Sequence, residues 1–131
     1  MSHCVVCGKP GDKHHIIHKA EGGLETPLNY LYLCPEHHRG FMGPHRNSEV
    51  DLVYKLDMQR NLEELFASKF YSAMEIRSLS QISVSNLKKF MKTNQLHKEG
   101  YERNDILFFL MGGNIYRNDY QMQDSIGEQY Y

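Results

Sequence analysis

Cysteine and histidine crowd the start of this 131-residue chain. Cys4-Val5-Val6-Cys7 is a C-x-x-C pair, and Cys34-Pro35-Glu36-His37 is a C-x-x-H pair. Two residues between donors let both side chains converge on one ion across a tight backbone turn. Two such pairs make the closed tetrahedral site of structural zinc, and thiolate and imidazole suit zinc better than magnesium or calcium. Cys4, Cys7, Cys34 and His37 are therefore expected to hold Zn²⁺ and to staple the N-terminus to the segment around Cys34, where a small core needs support. A lone C-x-x-C pair can be incidental or redox-active; the second pair is what favours zinc. Three cysteines, an odd number, also fit ligands better than a disulfide framework. Seven of the eight histidines precede residue 46, with only His97 beyond.

The elements that must position these residues are short. Strands are expected at Lys13–Ile17 and Tyr30–Leu33, with Glu21-Gly22-Gly23 turning between them. Pro35 suits the first position of a helix starting near Glu36, and Gly40 to Pro44 breaks it. His14 and His15 are neighbours on the first strand, where successive side chains point to opposite faces, so a local bend is needed for both to serve one site. His37 and His38 cannot easily share one ion, which assigns His37 to the zinc and leaves His38 for a second metal. His18 reads as a surface residue and Asp12 as part of the turn. Arg39 and Arg46 either contact phosphate or are solvated.

His14-His15-Ile16, the Gly-Gly turn, Asn29 opening the second strand, and Leu33-Cys34-Pro35-Glu36-His37-His38 at the helix start together resemble the HNH (ββα-metal) endonuclease family. The resemblance covers residues 4–46, and the run from Leu33 to Asn47 is especially similar to HNH proteins of bacteriophages and prophages. It implies hydrolysis of DNA phosphodiester bonds, leaving 5′-phosphate and 3′-hydroxyl ends. His15 would be the general base, since an imidazole titrates near neutral pH. His14 and His38 would be ligands of one catalytic divalent ion, Mg²⁺ or Mn²⁺, with His45 completing the set. Asn29 would hold the loop that presents His15.

Beyond residue 47 the pattern changes period. Residues 48–70 carry Val50, Val53, Tyr54, Leu62, Leu65 and Phe66 at helical spacing, with Ser48 as the expected cap, and read as a packing helix. Three more helices are expected at Ser72–Leu79, Val84–Asn94 and Asn104–Met111, with Ser72, Ser83 and Asn104 as caps and Gly112-Gly113 as a stop. Glu75 to Phe90 resembles the helix-turn-helix of excisionase-like and mercuric-resistance-regulator-type DNA-binding proteins, with Ile76, Leu79, Ile82, Leu87 and Phe90 inward. Gln95-Leu96 and Tyr101 to Leu110 resemble the short wing and last helix of such domains. Arg77 and Gln81 depart from that pattern, which usually has a small residue and a glycine there. The resemblance implies that Ser85, Asn86, Lys88, Lys89 and Lys92 face a duplex, the lysines through phosphate. A helical hairpin that only packs on the metal-rich part is the alternative.

The fold expected is α+β. A zinc-stapled ββα-metal unit spans 1–47 and a linking helix 48–70. A winged-helix-like unit spans 71–113 and a tail 114–131. Net charge is −1, so an electrostatic footprint for DNA has to be local, and Tyr71 to Glu99 is the basic stretch. No apolar run reaches the roughly 20 residues of a membrane span, and the N-terminus lacks signal-peptide character. A cytoplasmic, DNA-binding endonuclease, able to act as a homodimer on duplex DNA, is the expectation. The competing expectation is a zinc-containing DNA-binding or regulatory protein without catalysis.

Overall fold

The computed structural model describes residues 2–117. Residues 4–9 form a tight turn in which Cys4 N–H donates to Lys9 O (2.7 Å) and Gly8 N–H to Cys4 O (2.9 Å). Strand β1 (Asp12–His15) pairs antiparallel with β2 (Tyr30–Leu33), placing His14 opposite Leu31 and His15 opposite Tyr30. Two 3₁₀ turns, Lys19–Glu21 and Pro27–Asn29, carry the connection, the second capped by the Thr26 hydroxyl. Helix α1 (Pro35–Arg39) starts on the proline, at the position where a missing N–H costs nothing.

Helix α2 (Ser48–Leu65) is capped one residue earlier than expected, by Asn47, whose side chain accepts from Glu49 and Val50 N–H. Its buried face runs through Lys55, Met58, Gln59 and Leu62, a regular i, i+3, i+4, i+7 stripe, and Phe66 follows just past its end. Val53 falls two residues before Lys55, on the far side of that stripe, and is exposed rather than inward.

The remaining chain forms β3 (Phe70–Tyr71), α3 (Ala73–Ser80), α4 (Val84–Thr93), β4 (Leu96–His97), β5 (Gly100–Glu102) and α5 (Arg103–Leu110). The three strands make a small antiparallel sheet in the order β3-β5-β4. Strand β3 was not expected, because two residues carry no readable alternation. Ser72 caps α3 in a reciprocal box with Glu75, and Ser83 caps α4. Asn104 is not a cap: α5 begins at Arg103, whose N–H is already taken by Lys69 O (2.8 Å) as the strand runs straight into the helix. Gln81 sits between α3 and α4 in the left-handed region (φ 59°), performing the task for which glycine is the usual choice.

The architecture is thus α+β, with two small antiparallel sheets and five helices among the described residues. One core runs through it. Ile16 and Ile17, just after β1, join Met58, Leu62 and Phe66 of the α2 region and Ile76, Ile82, Phe90, Ile106 and Leu110 of the helical part. This core crosses the boundaries expected at 47/48 and 70/71. Cys4, Leu33 and Cys34 form a separate, much smaller cluster. A buried hydrogen bond from Thr26 Oγ1 to Ser80 O (2.5 Å) also ties the β1–β2 connection to α3. Tyr116 exchanges two backbone hydrogen bonds with the Gln59 amide (2.8 and 2.9 Å); residues 118–131 of the expected tail lie outside the described residues. No helix is long and apolar enough to cross a membrane among those described.

Candidate metal centres

The tight turn at residues 4–9 and the start of α1 bring Cys4, Cys7, Cys34 and His37 together. Cys7 Sγ lies 3.7 Å from Cys34 Sγ, and His37 Nδ1 lies 3.2 Å from Cys34 Sγ and 3.6 Å from Cys4 Sγ. Zinc–sulfur bonds of about 2.3 Å in a tetrahedron require sulfur–sulfur edges of about 3.7–3.8 Å, so the spacing fits one ion held by all four. Burial pushes the Cys4 thiol up, but N–H groups of Cys34, Cys7 and Val6 directed at its sulfur outweigh this and bring it down to about 6, ready to be a thiolate. Cys7 moves the other way. Lys9 N–H lowers it, and burial together with the neighbouring Cys34 and Cys4 sulfurs raises it further, so that its net shift is upward. A cation among the sulfurs removes that repulsion. These four residues form a cluster that can bind a metal such as zinc.

A second cluster stands on the other side of α1. His38, the next residue after His37, is buried and turns its Nε2 to within 3.2 Å of His14 Nδ1 and 2.9 Å of His45 Nε2. The break from Gly40 to Pro44, which ends α1, is what delivers His45. Gly40 O accepts from Gly43 N–H and Gly43 O from Asn47 N–H (both 2.9 Å), folding the chain back so that His45 meets His38. Gly43 has to be glycine there, since a Cβ would lie 2.4 Å from His38 O. Burial first, then the neighbouring His38, His45 and His18, pull the His14 imidazole down to about 3. Burial likewise lowers His38 and His45. Neutral imidazoles are the ligating form, and nitrogen–nitrogen edges near 3.3 Å are what metal–nitrogen bonds of about 2.0–2.1 Å produce.

His15 is not in that cluster. The regular β1–β2 register sends His14 inward and His15 outward, so the strand alternation expected to be relieved by a bend is kept. The two nevertheless line the rim of one shallow cavity of about 210 Å³, shared with His38, His45, Lys13, Lys19 and Arg39. His15 Nε2 lies 2.6 Å from Glu25 Oε1. A carboxylate only accepts, so Nε2 carries the hydrogen and Nδ1 keeps its lone pair. Tyr30 donates its hydroxyl to the other Glu25 oxygen. Hydrogen bonds from Tyr30 and His15 hold the Glu25 carboxyl down at about 2. Asn29, fully buried, accepts from Ile17 N–H (2.7 Å) and donates to Ile17 O and Leu24 O (both 3.0 Å), clamping the loop that follows His15.

A scan against protein-family models finds no match to this chain, and comparisons with curated proteins and with solved structures find no significant similarity.

Four contributors escape a reading of the sequence: Glu21, Glu25, Asp51 and Lys55. His18, expected on the surface, is half-buried beside His14 and His45, with ring centroids 5.5 and 5.4 Å away. Helix α2 does more than pack: it presents Asp51 to His18 (3.3 Å) and buries Lys55 between Asp51 (2.7 Å) and Glu21 (2.8 Å). Asp12 stays exposed at the start of β1, and Arg46 lies outside both clusters. Far from these, α4 exposes Ser85, Lys88, Lys89 and Lys92 around one open depression, with Asn86 half-buried at its start. A larger groove of about 360 Å³ against α2 is lined mainly by apolar side chains such as Leu28, Leu31, Tyr54 and Met58, and gathers no set of donors.

Proposed function

We propose that this protein is a metal-dependent DNA endonuclease of the HNH type. The observation that carries this reading is the convergence of His14, His38 and His45 donors on the cavity whose rim also holds His15. A purely DNA-binding zinc protein needs only the cysteine cluster and has no use for a second set of neutral imidazoles beside a carboxylate-backed histidine.

The chain's residues divide the work. His15 Nδ1 accepts the proton of the attacking water, and Glu25 stabilises the imidazolium that results. Asn29 fixes the loop behind His15, so that the ring holds its direction. His14, His38 and His45 would hold a divalent ion, which would supply charge neutralisation for phosphodiester hydrolysis. Lys13, Lys19 and Arg39 around the cavity attract the phosphate backbone. Three imidazoles form a softer donor set than carboxylates, so Mn²⁺, Co²⁺ or Ni²⁺ should support turnover better than Mg²⁺. A zinc held by Cys4, Cys7, Cys34 and His37 would be structural, because four protein donors would leave no open position. Helix α4, following a serine-capped turn and preceding the β4–β5 hairpin, supplies the duplex-binding surface through Ser85, Asn86, Lys88, Lys89 and Lys92.

The test is nicking of supercoiled plasmid in Mn²⁺ or Mg²⁺ by wild type and by His15→Ala, with zinc content measured in both. Metal-dependent nicking that falls at least about a hundredfold in the variant, zinc retained, is the expected result. Undiminished cleavage by His15→Ala would remove His15 from the mechanism. A folded wild type that binds DNA and never cuts it would leave the non-catalytic, zinc-containing DNA-binding protein.

A further inference from the structure

Three side-chain atoms are buried without a hydrogen-bond partner among the described residues: His14 Nε2, His18 Nε2 and Asp51 Oδ1. They come from three residues whose donor atoms lie within 4.8 Å of one another. His18 Nε2 and Asp51 Oδ1 are 3.3 Å apart, yet their geometry makes no hydrogen bond. The other polar atom of each side chain is already engaged. His14 Nδ1 faces His38 Nε2 at 3.2 Å, His18 Nδ1 faces Glu21 Oε1 at 3.3 Å, and Asp51 Oδ2 faces Lys55 Nζ at 2.7 Å. Each residue therefore carries one unpartnered atom, on side chains that are neighbours. His14 itself is 2% exposed, and its Nε2 is buried.

Buried polar groups in native structures are nearly always satisfied, and three unpartnered atoms on neighbouring side chains call for a shared partner. We propose that His14 Nε2, His18 Nε2 and Asp51 Oδ1 form a second divalent-metal position, separate from the His14–His38–His45 set and taking a zinc-like transition metal. Two imidazole nitrogens and one carboxylate oxygen, with a fourth direction left for water, are the donor set of open zinc-type sites. Glu21 Oε1 lies at ion-pair distance from His18 Nδ1, on the side where carboxylates stand behind ligating histidines. The Glu21 side chain also accepts from His18 N–H (2.9 Å), which locks the loop carrying that ring. Lys55, 4% exposed, holds Asp51 Oδ2 and so leaves Asp51 a single ligating oxygen. Glu21 and Asp51 carry two negative charges against one on Lys55, and a cation compensates the remainder. His14 belongs to both metal sets through its two ring nitrogens, so filling both positions at once makes it a bridging imidazolate and releases its ring proton to solvent.

The decisive measurement is metal stoichiometry of the full chain, by native mass spectrometry after titration with Zn²⁺ and by the visible absorption of bound Co²⁺. Wild type should take three equivalents: one at the cysteine set and two at the histidines. Asp51→Asn and His18→Gln should each lose one equivalent, or weaken its binding by at least about tenfold, while keeping the other two. His38→Ala should lose a different one. If wild type stops at two equivalents, or if both variants still take three with unchanged affinity, the second position does not exist. Retention of the cysteine-bound ion marks a folded chain, and should Asp51→Asn fail that check, His18→Gln decides alone. This readout does not depend on DNA cleavage, so failure of the nuclease reading would leave it standing, and the reverse also holds.

Discussion

Glu25 decides what His15 can do. Its carboxylate fixes the hydrogen on Nε2, 2.6 Å away, and so frees Nδ1 to take a proton. Glu25→Gln keeps the shape and removes the charge that stabilises the imidazolium, so plasmid nicking should fall roughly ten- to hundredfold with zinc content unchanged. The same residue sets a pH dependence. Hydrogen bonds from Tyr30 and His15 hold the carboxyl at about 2 instead of the usual 4.5. The folded state therefore favours the ionised form; its contribution is complete above about pH 4.5 and is lost as pH falls toward about 2. The difference in melting temperature between wild type and Glu25→Gln should shrink as pH falls across that acid range. Glu25 was invisible in the sequence, because its contact with His15 depends on the β1–β2 pairing and on no motif. The cysteine set was legible for the opposite reason: two-residue spacings record local geometry directly. Asp51 resembles Glu25 in this respect, an ordinary acidic residue in a helix's first turn until the fold sets it against His18.

At the scale of elements, the connection between β1 and β2 is the part that tolerates least. The Gly-Gly turn was readable, but not which glycine is indispensable or why. A Cβ on Gly23 would lie 1.8 Å from Ile17 O, the same carbonyl that accepts from Asn29 Nδ2 at 3.0 Å. Gly23→Ala thus forces apart the clamp that holds the loop after His15. It should destabilise the protein by roughly 2 kcal/mol or more in urea unfolding, and depress nicking even where the chain remains folded. Gly8 is the contrast: it is left-handed (φ 78°) but open space surrounds the place a Cβ would occupy. Gly8→Ala should cost only the conformational strain, about 1 kcal/mol. Helix positions were legible wherever a serine caps and an apolar stripe follows, as at Ser72 and Ser83. They were misplaced where a tertiary contact sets the start, as at Arg103, held by Lys69 O.

At the scale of the whole molecule, the metal-rich head and the helical part differ in what holds them. Cys4, Leu33 and Cys34 make only a small cluster, whereas Ile16 and Ile17 are built into the main core with Phe66 and Phe90. If the cysteine set holds zinc, chelating it should therefore free residues 2–11 to protease while most helical circular dichroism survives. The charge distribution follows a similar division. A net charge of −1 gives no general attraction to DNA, so the proposed binding would have to come from local faces. Two are present: the cavity rim with Lys13, Lys19 and Arg39, and the exposed Lys88, Lys89 and Lys92 of α4. If α4 lies along a duplex, its three lysines neutralise phosphates and release counterions. Replacing all three by alanine should then flatten the slope of log affinity against log salt by roughly 2–3 and weaken binding to all sequences alike. Nicking at saturating protein should persist, because the histidine sites are untouched. An unchanged salt slope would instead make α3 and α4 a hairpin that only packs, and would leave the cavity rim as the face that meets DNA.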